Sequence, residues 1–234
     1  MKYMGSKSRF AKDLLPILLK DRENDQYYVE PFAGGMNMMD KVSGNRIAND
    51  AHQELMAMWC ALIYDNWNPP SFVSEALYLD MRDNPEAFKS YERGYVGFNS
   101  YAGKWFAGYR RDKEGKRDYW REHYNNIKRQ IPFLKGVELR NQSYLELDIP
   151  ENSIIYCDPP YEATTSYRSG FDHVKFWEWC REKSKEGHQV FISEYRAPGD
   201  FYCVWERDAK STFSYNGTSG GTKESKERLF VYQP

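Results

Sequence analysis

Two β-prone runs joined by a glycine turn and one short helical stretch decide what this chain can fold into. Tyr27-Tyr28-Val29-Glu30 leads into Pro31-Phe32-Ala33-Gly34-Gly35, and a second run, Arg46-Ile47-Ala48, ends at Asn49-Asp50. A helix is predicted over Met36–Val42 between them. That connection is too short for an excursion, so the two strands lie side by side and parallel, the start of a βαβ sheet. Strong helical periodicity follows over Gln53–Tyr64, and Lys7–Lys20 ahead of the first strand sets Leu14, Leu15, Leu18 and Leu19 on one face. The same rhythm returns with strands at Val137–Leu139, Ile154–Cys157 and Gln189–Ile192 and a helix over Asp172–Lys185. Phe201–Trp205 and Leu229–Tyr232 are expected to close one edge as an antiparallel pair, with Asp208–Lys226 as a polar loop between them. The fold class is α/β.

From 66 to 134 the rhythm is broken, first by Asn68-Pro69-Pro70. Helices are predicted at Phe72–Leu79 and Asp118–Gln130, around a stretch rich in glycine and aromatic residues from Gly94 to Gly108. The expected organisation is one domain built from 1–65 and 135–234, carrying 66–134 as an insert, which is within reach of 234 residues. A net charge of −1 announces no polyanion partner for the chain as a whole. The distribution is less even. Lys89 to Arg140 holds 13 Lys/Arg against 6 Asp/Glu, a balance of +7 that leaves −8 elsewhere. A basic middle on an acidic body fits a local nucleic-acid footprint, and equally a set of solvated helix faces. The four cysteines, Cys60, Cys157, Cys180 and Cys203, have no zinc spacing, and His52, His123, His173 and His188 supply none. Buried, reduced thiols and no metal are expected, in a soluble cytoplasmic protein without a signal peptide or membrane-length apolar run.

The chemistry concentrates at Asp158-Pro159-Pro160-Tyr161, which closes the apolar run Ile154-Ile155-Tyr156-Cys157. By chance this tetrapeptide arises about once in a thousand chains of this length. Its place is the C-terminal edge of a strand, where open α/β sheets bind ligands. Two prolines stiffen the backbone and leave its carbonyls free to accept, between an acidic acceptor and a flat ring. The bland reading is a Pro-rich turn with a solvated aspartate. Glu30 to Gly35 gives a second rim feature: glycines let a ligand approach the backbone, although the pattern is not G-x-G-x-x-G. Asp50 stands where a carboxylate would bind ribose hydroxyls, or else caps the following helix. In Lys2-Tyr3-Met4-Gly5-Ser6-Lys7, Ser6 is a candidate helix cap, while the aromatic ring and lysine suit an adenine and a carboxylate.

Taken in order, Lys2 to Lys7, Glu30 to Gly35, Asp50 and Asp158 to Tyr161 resemble the DNA adenine-N6 methyltransferase family. More narrowly, they are similar to its solitary GATC-type branch and its bacteriophage relatives. The likeness spans nearly the whole chain, including Gly220-Gly221-Thr222-Lys223 and Glu227-Arg228-Leu229. It implies a Rossmann-like, S-adenosylmethionine-dependent sheet with an antiparallel C-terminal edge and a small, mainly helical target-recognition lobe. It implies Tyr3, Lys7, Phe32, Gly34, Asp50 and Asp158 as cofactor contacts, with Lys7 near the cofactor carboxylate and Asp50 on the ribose. Phe32 and Gly34 would line the methionine end. One departure stands out: Met36 occupies the place of a second family glycine, with Gly35 beside it.

The same resemblance implies methyl transfer to N6 of an adenine flipped out of double-stranded DNA. Asp158, Pro159, Pro160 and Tyr161 would be catalytic, Asp158 and the Pro159 carbonyl accepting the amine protons while Tyr161 stacks on the base. Asn99, Tyr101 and Lys104, with Phe98 and Trp105, are candidate base contacts, although the rings serve an insert core equally well. Arg110, Arg111, Lys113, Lys116 and Arg117 are candidate phosphate contacts. A monomer is expected, with a cognate restriction enzyme as an open second partner. Two alternatives remain: a cytosine-N4 or other amino methyltransferase, and a catalytically silent DNA-binding decoy.

Overall fold

The computed structural model describes residues 1–112, 114–161, 170–210 and 224–233. Lys113 and the Gly220-Gly221-Thr222-Lys223 stretch lie outside them. Seven strands form one sheet: β1 (Tyr28–Glu30), β2 (Arg46–Asn49), β3 (Glu138–Arg140), β4 (Ile154–Cys157), β5 (Gln189–Glu194), β6 (Phe201–Lys210) and β7 (Glu224–Tyr232). Their order is β3-β2-β1-β4-β5-β7-β6. The first five run parallel, with Tyr28 opposite both Arg46 of β2 and Ile154 of β4. β7 runs antiparallel between β5 and β6, pairing Phe230 with Ile192 on one side and Cys203 on the other. The α/β sheet with an antiparallel C-terminal edge is therefore present.

Residues of β1, β2 and β4 are buried throughout, as expected of parallel strands covered on both faces. Successive residues feed different cores. Tyr28, Ile154 and Tyr156 pack with α1 (Ala11–Leu18), α2 (Gln53–Ile63), α4 (Ser90–Phe98) and α5 (Tyr119–Leu134). Val29, Ile155 and Cys157 pack on the other face with α6 (His173–Lys185). Among the described residues no helix is long and apolar enough to cross a membrane. The cysteines are free, but Cys60 is exposed, which corrects the expectation that the thiols are buried.

Three helical expectations need correction. Met36–Val42 is not a helix: Gly34 and Met36 take left-handed backbones (φ 48° and 51°), and only a 3-10 turn at Met39–Lys41 follows. α3 (Glu75–Asp83) begins later than Phe72 because Ser74 is its N-cap, accepting from the Leu77 N–H at 3.2 Å. α4 (Ser90–Phe98) runs into the start of the glycine-rich stretch, where no helix was expected. Its glycines serve packing, since a Cβ on Gly94 would stand 2.1 Å from the Glu54 carbonyl oxygen of α2 and one on Gly97 would stand 2.5 Å from the Trp105 ring.

The 66–134 stretch shares a core with the sheet. Tyr78, Tyr95, Trp120, Ile127 and Leu134 belong to the same apolar cluster as Tyr28 and Trp59. Arg93 of α4 reinforces the join through a 2.6 Å ion pair with Glu54 of α2. Arg46 of β2 donates to the Phe133 and Lys135 carbonyls at 2.7 and 2.8 Å, satisfying acceptors at the end of α5.

Candidate active site

β1 and β4 are adjacent and parallel, so the glycine turn after Glu30 and the Asp158 turn after Cys157 emerge on the same rim. Strand order reverses between them, with β2 and β3 to one side of β1 and β5 beyond β4. That is the topological switch at which open α/β sheets bind their ligands.

The glycine turn is held from three sides. The Trp59 indole N–H of α2 donates to the Gly34 carbonyl at 3.1 Å. Gln130 of α5 donates to the Gly35 and Met36 carbonyls at 2.9 and 3.0 Å. Asp50 accepts from the Gly34 N–H at 3.0 Å and the His52 N–H at 2.9 Å. Asp50 does not cap α2; that place belongs to His52, whose ring accepts from the Leu55 N–H at 3.4 Å. Burial pushes the Asp50 carboxyl up, while those two backbone N–H groups pull it down. Tyr3 lies directly on the turn. A Cβ on Gly34 would fall 2.6 Å from Tyr3 Cε1, and one on Gly35 would fall 2.6 Å from Tyr3 Cβ. The glycines are thus required by the Tyr3 ring itself. Ser6 caps the 3-10 turn Lys7–Phe10, accepting from the Ser8 N–H at 3.3 Å.

Lys7 departs from expectation. Its ammonium donates to Asp158 Oδ1 at 2.8 Å and to the Gly5 carbonyl at 3.1 Å, and Glu227 Oε2 stands 3.8 Å away. An ammonium has three protons, and three acceptors surround this one. Lys7 therefore belongs to the Asp158 side of the site rather than being held for a ligand carboxylate. Burial opposes its charge, but Asp158 and Glu227 together outweigh that and raise its pKa. Burial likewise raises the Asp158 carboxyl, with Lys7 pulling the other way. Nearby, burial pushes Glu30 up to about 8, so it is mostly neutral at pH 7.

Tyr161 is only 8% exposed, which limits the stacking role expected of it. Its hydroxyl donates to Glu227 at 3.0 Å, the Lys7 ammonium sits 4.5 Å from its ring centroid, and Tyr195 meets it edge-on at 4.7 Å. Pro159 is buried and Pro160 half-buried beside it. Phe32 faces away from Tyr3, into an aromatic group with Tyr144, Phe171 and Phe176 at 5.2 to 5.8 Å. Glu227, not singled out as a site residue from sequence, is the fourth member of the Asp158 cluster.

The insert candidates divide. Asn99 is 2% exposed, its Oδ1 accepting from Arg110 at 3.5 Å, so it offers no surface to DNA in this conformation. Arg110 stacks 4.0 Å from the Tyr119 ring centroid. Arg111 forms a two-pronged pair with Glu75, Lys116 pairs with Glu114 at 2.7 Å, and Arg117 with Glu122 at 3.0 Å. Much of the positive run is thus balanced by neighbouring carboxylates. Tyr101 is exposed, and Lys104 is half-buried. Phe98 and Trp105 pack on each other at 5.1 Å and on His52, which makes them core residues of the join.

The family model for D12 class N6 adenine-specific DNA methyltransferases matches residues 3–127. The chain belongs to that family. The matched stretch contains Tyr3, Lys7, the glycine turn and Asp50, and it ends ahead of Asp158. Among curated proteins, this D12 family chain is similar to the type II methyltransferase M.FokI of Planomicrobium okeanokoites, 23% identical over 215 residues. That alignment takes in 78% of this chain and 32% of the relative, so the chain spans about a third of the relative's length. Among solved structures it is similar to SMU.472 in complex with SAH (14% identity, TM-score 0.38, all of this chain and 54% of that one). It is also similar to HI0767 of Haemophilus influenzae (9% identity, TM-score 0.39, 98% of this chain and all of that one).

Proposed function

We propose that this chain is a site-specific DNA methyltransferase that moves a methyl group from S-adenosylmethionine to N6 of an adenine flipped out of double-stranded DNA. One observation carries the reading beyond family membership. The ionisable acceptor Asp158 and the glycine turn stand on one rim of the sheet, at its switch point, with a buried lysine between the N-terminal segment and the acceptor.

The residues present fit the cofactor. A carboxylate has about four acceptor positions, and Asp50 uses two on backbone N–H groups, which leaves two for a pair of ribose hydroxyls. Tyr3 and Gly34 would complete its pocket beside Asp50, while the Phe32 ring, packed with Tyr144, Phe171 and Phe176, would support the turn from the opposite face. The cofactor supplies an electrophilic methyl group on a sulfonium sulfur. The chain's own task lies at the other reactant. An exocyclic adenine nitrogen is a poor nucleophile because its lone pair is delocalised into the ring. Asp158 and the Pro159 carbonyl accept its two N–H bonds and favour a pyramidal nitrogen with its lone pair directed outward. Such contacts strengthen as positive charge develops on that nitrogen, which is complementarity to the transition state. The stiff Pro159-Pro160 backbone keeps the two acceptors in register, and alignment supplies much of the rate. The 66–134 insert would read the DNA.

Incubation with genomic DNA and cofactor, followed by modification-sensitive sequencing and nucleoside analysis, tests the reading. Methylated adenine at a defined sequence is the expected product; methylated cytosine or no modification overturns it. Asp158→Ala should abolish methyl transfer while cofactor binding is kept or weakened, and wild-type turnover in that variant refutes the role of Asp158.

A further inference from the structure

The Asp158 cluster contains one cation and two carboxylates, all substantially buried: Lys7 is 5% exposed on its side chain, Glu227 8% and Asp158 22%. If Asp158 must accept an adenine amine, its present partner cannot keep the same place. An ammonium stranded in a buried site carries a heavy cost. A second carboxylate within 3.8 Å of the same Nζ removes that difficulty. Glu227 is already tied to the site through the Tyr161 hydroxyl at 3.0 Å. Its strand explains how it gets there. β7 runs antiparallel to β5, so its opening residues, not its closing ones, reach the rim that carries Asp158.

We propose that Glu227 is a positioning residue of the acceptor site, fixing the Tyr161 phenol and receiving the Lys7 ammonium when Asp158 turns to the substrate amine. The inference rests on the methyltransferase reading for its consequence in catalysis, but the coupled cluster stands on the structure alone. Charged and titratable groups reach Asp158 from each element around it: Lys7 from the N-terminal turn, Glu30 from β1, Tyr156 and Cys157 from β4, Tyr161 after β4, and Glu227 from β7. Glu194 and Tyr195, at the end of β5, act on Tyr161 and Lys7 respectively. Of these, Glu227 is the carboxylate that raises the Asp158 pKa while also holding Lys7.

The test compares wild type with Glu227→Gln, Glu227→Asp and Tyr161→Phe. Glu227→Gln should lower the single-turnover methyl-transfer rate roughly tenfold, the value of a lost charge-assisted hydrogen bond, with cofactor affinity within about twofold of wild type. The acidic limb of its rate–pH profile should move to lower pH, because a negative neighbour of Asp158 is gone. Glu227→Asp should recover part of the rate. Tyr161→Phe combined with Glu227→Gln should lose less than the two single effects multiplied. An independent readout is the Lys7 Cε resonance in carbon-13 NMR, assigned with Lys7→Arg, which should titrate at lower pH in Glu227→Gln than in wild type. An unmoved acidic limb with wild-type rate, or an unmoved Lys7 titration, overturns the assignment. If the wild-type protein methylates no DNA while Lys7 still responds to Glu227→Gln, the proposed reaction falls and the cluster remains. Should Glu227→Gln fail to fold, Glu227→Asp decides on rate: single turnover below wild type with cofactor affinity kept supports the assignment, and wild-type single turnover overturns it.

Discussion

Replacing Lys7 by methionine isolates the electrostatics of the acceptor site. Methionine keeps most of the buried stem and removes the ammonium, leaving Asp158 and Glu227 facing one another without a cation. Breaking a buried pair by removing one partner costs about 3–5 kcal/mol. The 22% exposure of the Asp158 side chain admits some water and argues for the lower end, about 3 kcal/mol. The loss should depend on pH in a definite direction. Burial raises the folded-state Asp158 pKa above its ordinary value of 3.8, and Lys7 opposes that rise, so removing Lys7 lifts it further. A carboxyl with a raised folded pKa destabilises the fold fully above that pKa and not at all below its unfolded value. Protonation on acidification therefore relieves the variant. Lys7 itself, raised above 10.5, stays charged in wild type across this range and adds no slope. Urea denaturation of both proteins, followed by far-UV circular dichroism, should show a deficit of about 3 kcal/mol near pH 8 that shrinks as the pH falls towards 5. A deficit equal at both pH values, or below about 1 kcal/mol at the higher one, would refute the reading of Lys7 as the cation of a buried carboxylate pair.

Two further outcomes follow from the turn and the insert. Met36→Gly would relieve a left-handed backbone worth about 1–2 kcal/mol but delete a fully buried side chain worth about 2–5 kcal/mol, so a net loss of about 2 kcal/mol, within bounds of about 0–4, is expected by urea denaturation. A stabilised variant would mean that the side chain contributes little. Lys116→Glu with Arg117→Glu, if both cations meet phosphates, should weaken DNA binding across all sequences and reduce the salt slope by about 1–2. An unchanged slope would assign both to their carboxylate partners Glu114 and Glu122.

What the sequence disclosed and what it concealed have physical reasons. β4 was legible because a strand buried on both faces is written as a continuous apolar run, and the position of Asp158 on the rim follows from where that run stops. β1 and β2, which carry Glu30 and Arg46, were legible as β-prone runs on either side of the glycine turn. α4 was hidden by Gly94 and Gly97, which read as loop residues but answer to the Glu54 carbonyl and the Trp105 ring, far away in sequence. The Met36–Val42 helix failed because nothing in a methionine announces a positive φ. The resemblance had flagged that position as one where a glycine is usual, and the backbone there is of the kind glycine favours. Charge counting exposed the basic middle but not its partners, so Arg111, Lys116 and Arg117 looked freer than their ion pairs make them.

Glu227 is the most instructive omission. A carboxylate beside the apolar run Leu229–Tyr232 was visible, but reading it as part of the site required knowing the strand's direction. In a parallel strand the residues at its start lie on the rim away from the ligand. Reversal of β7 brings the start of the strand to the ligand rim instead, so the antiparallel edge does more than close the sheet. It delivers a carboxylate from the end of the chain to a lysine from its beginning, across an aspartate from the middle. If that arrangement serves the reaction, Asp158 works within a set of three charges, and the Asp158→Ala variant alone would not describe it. The informative comparison is whether removing Glu227 slows methyl transfer with the fold and cofactor affinity unchanged. A dead-end structural carboxylate would instead lose stability and rate together.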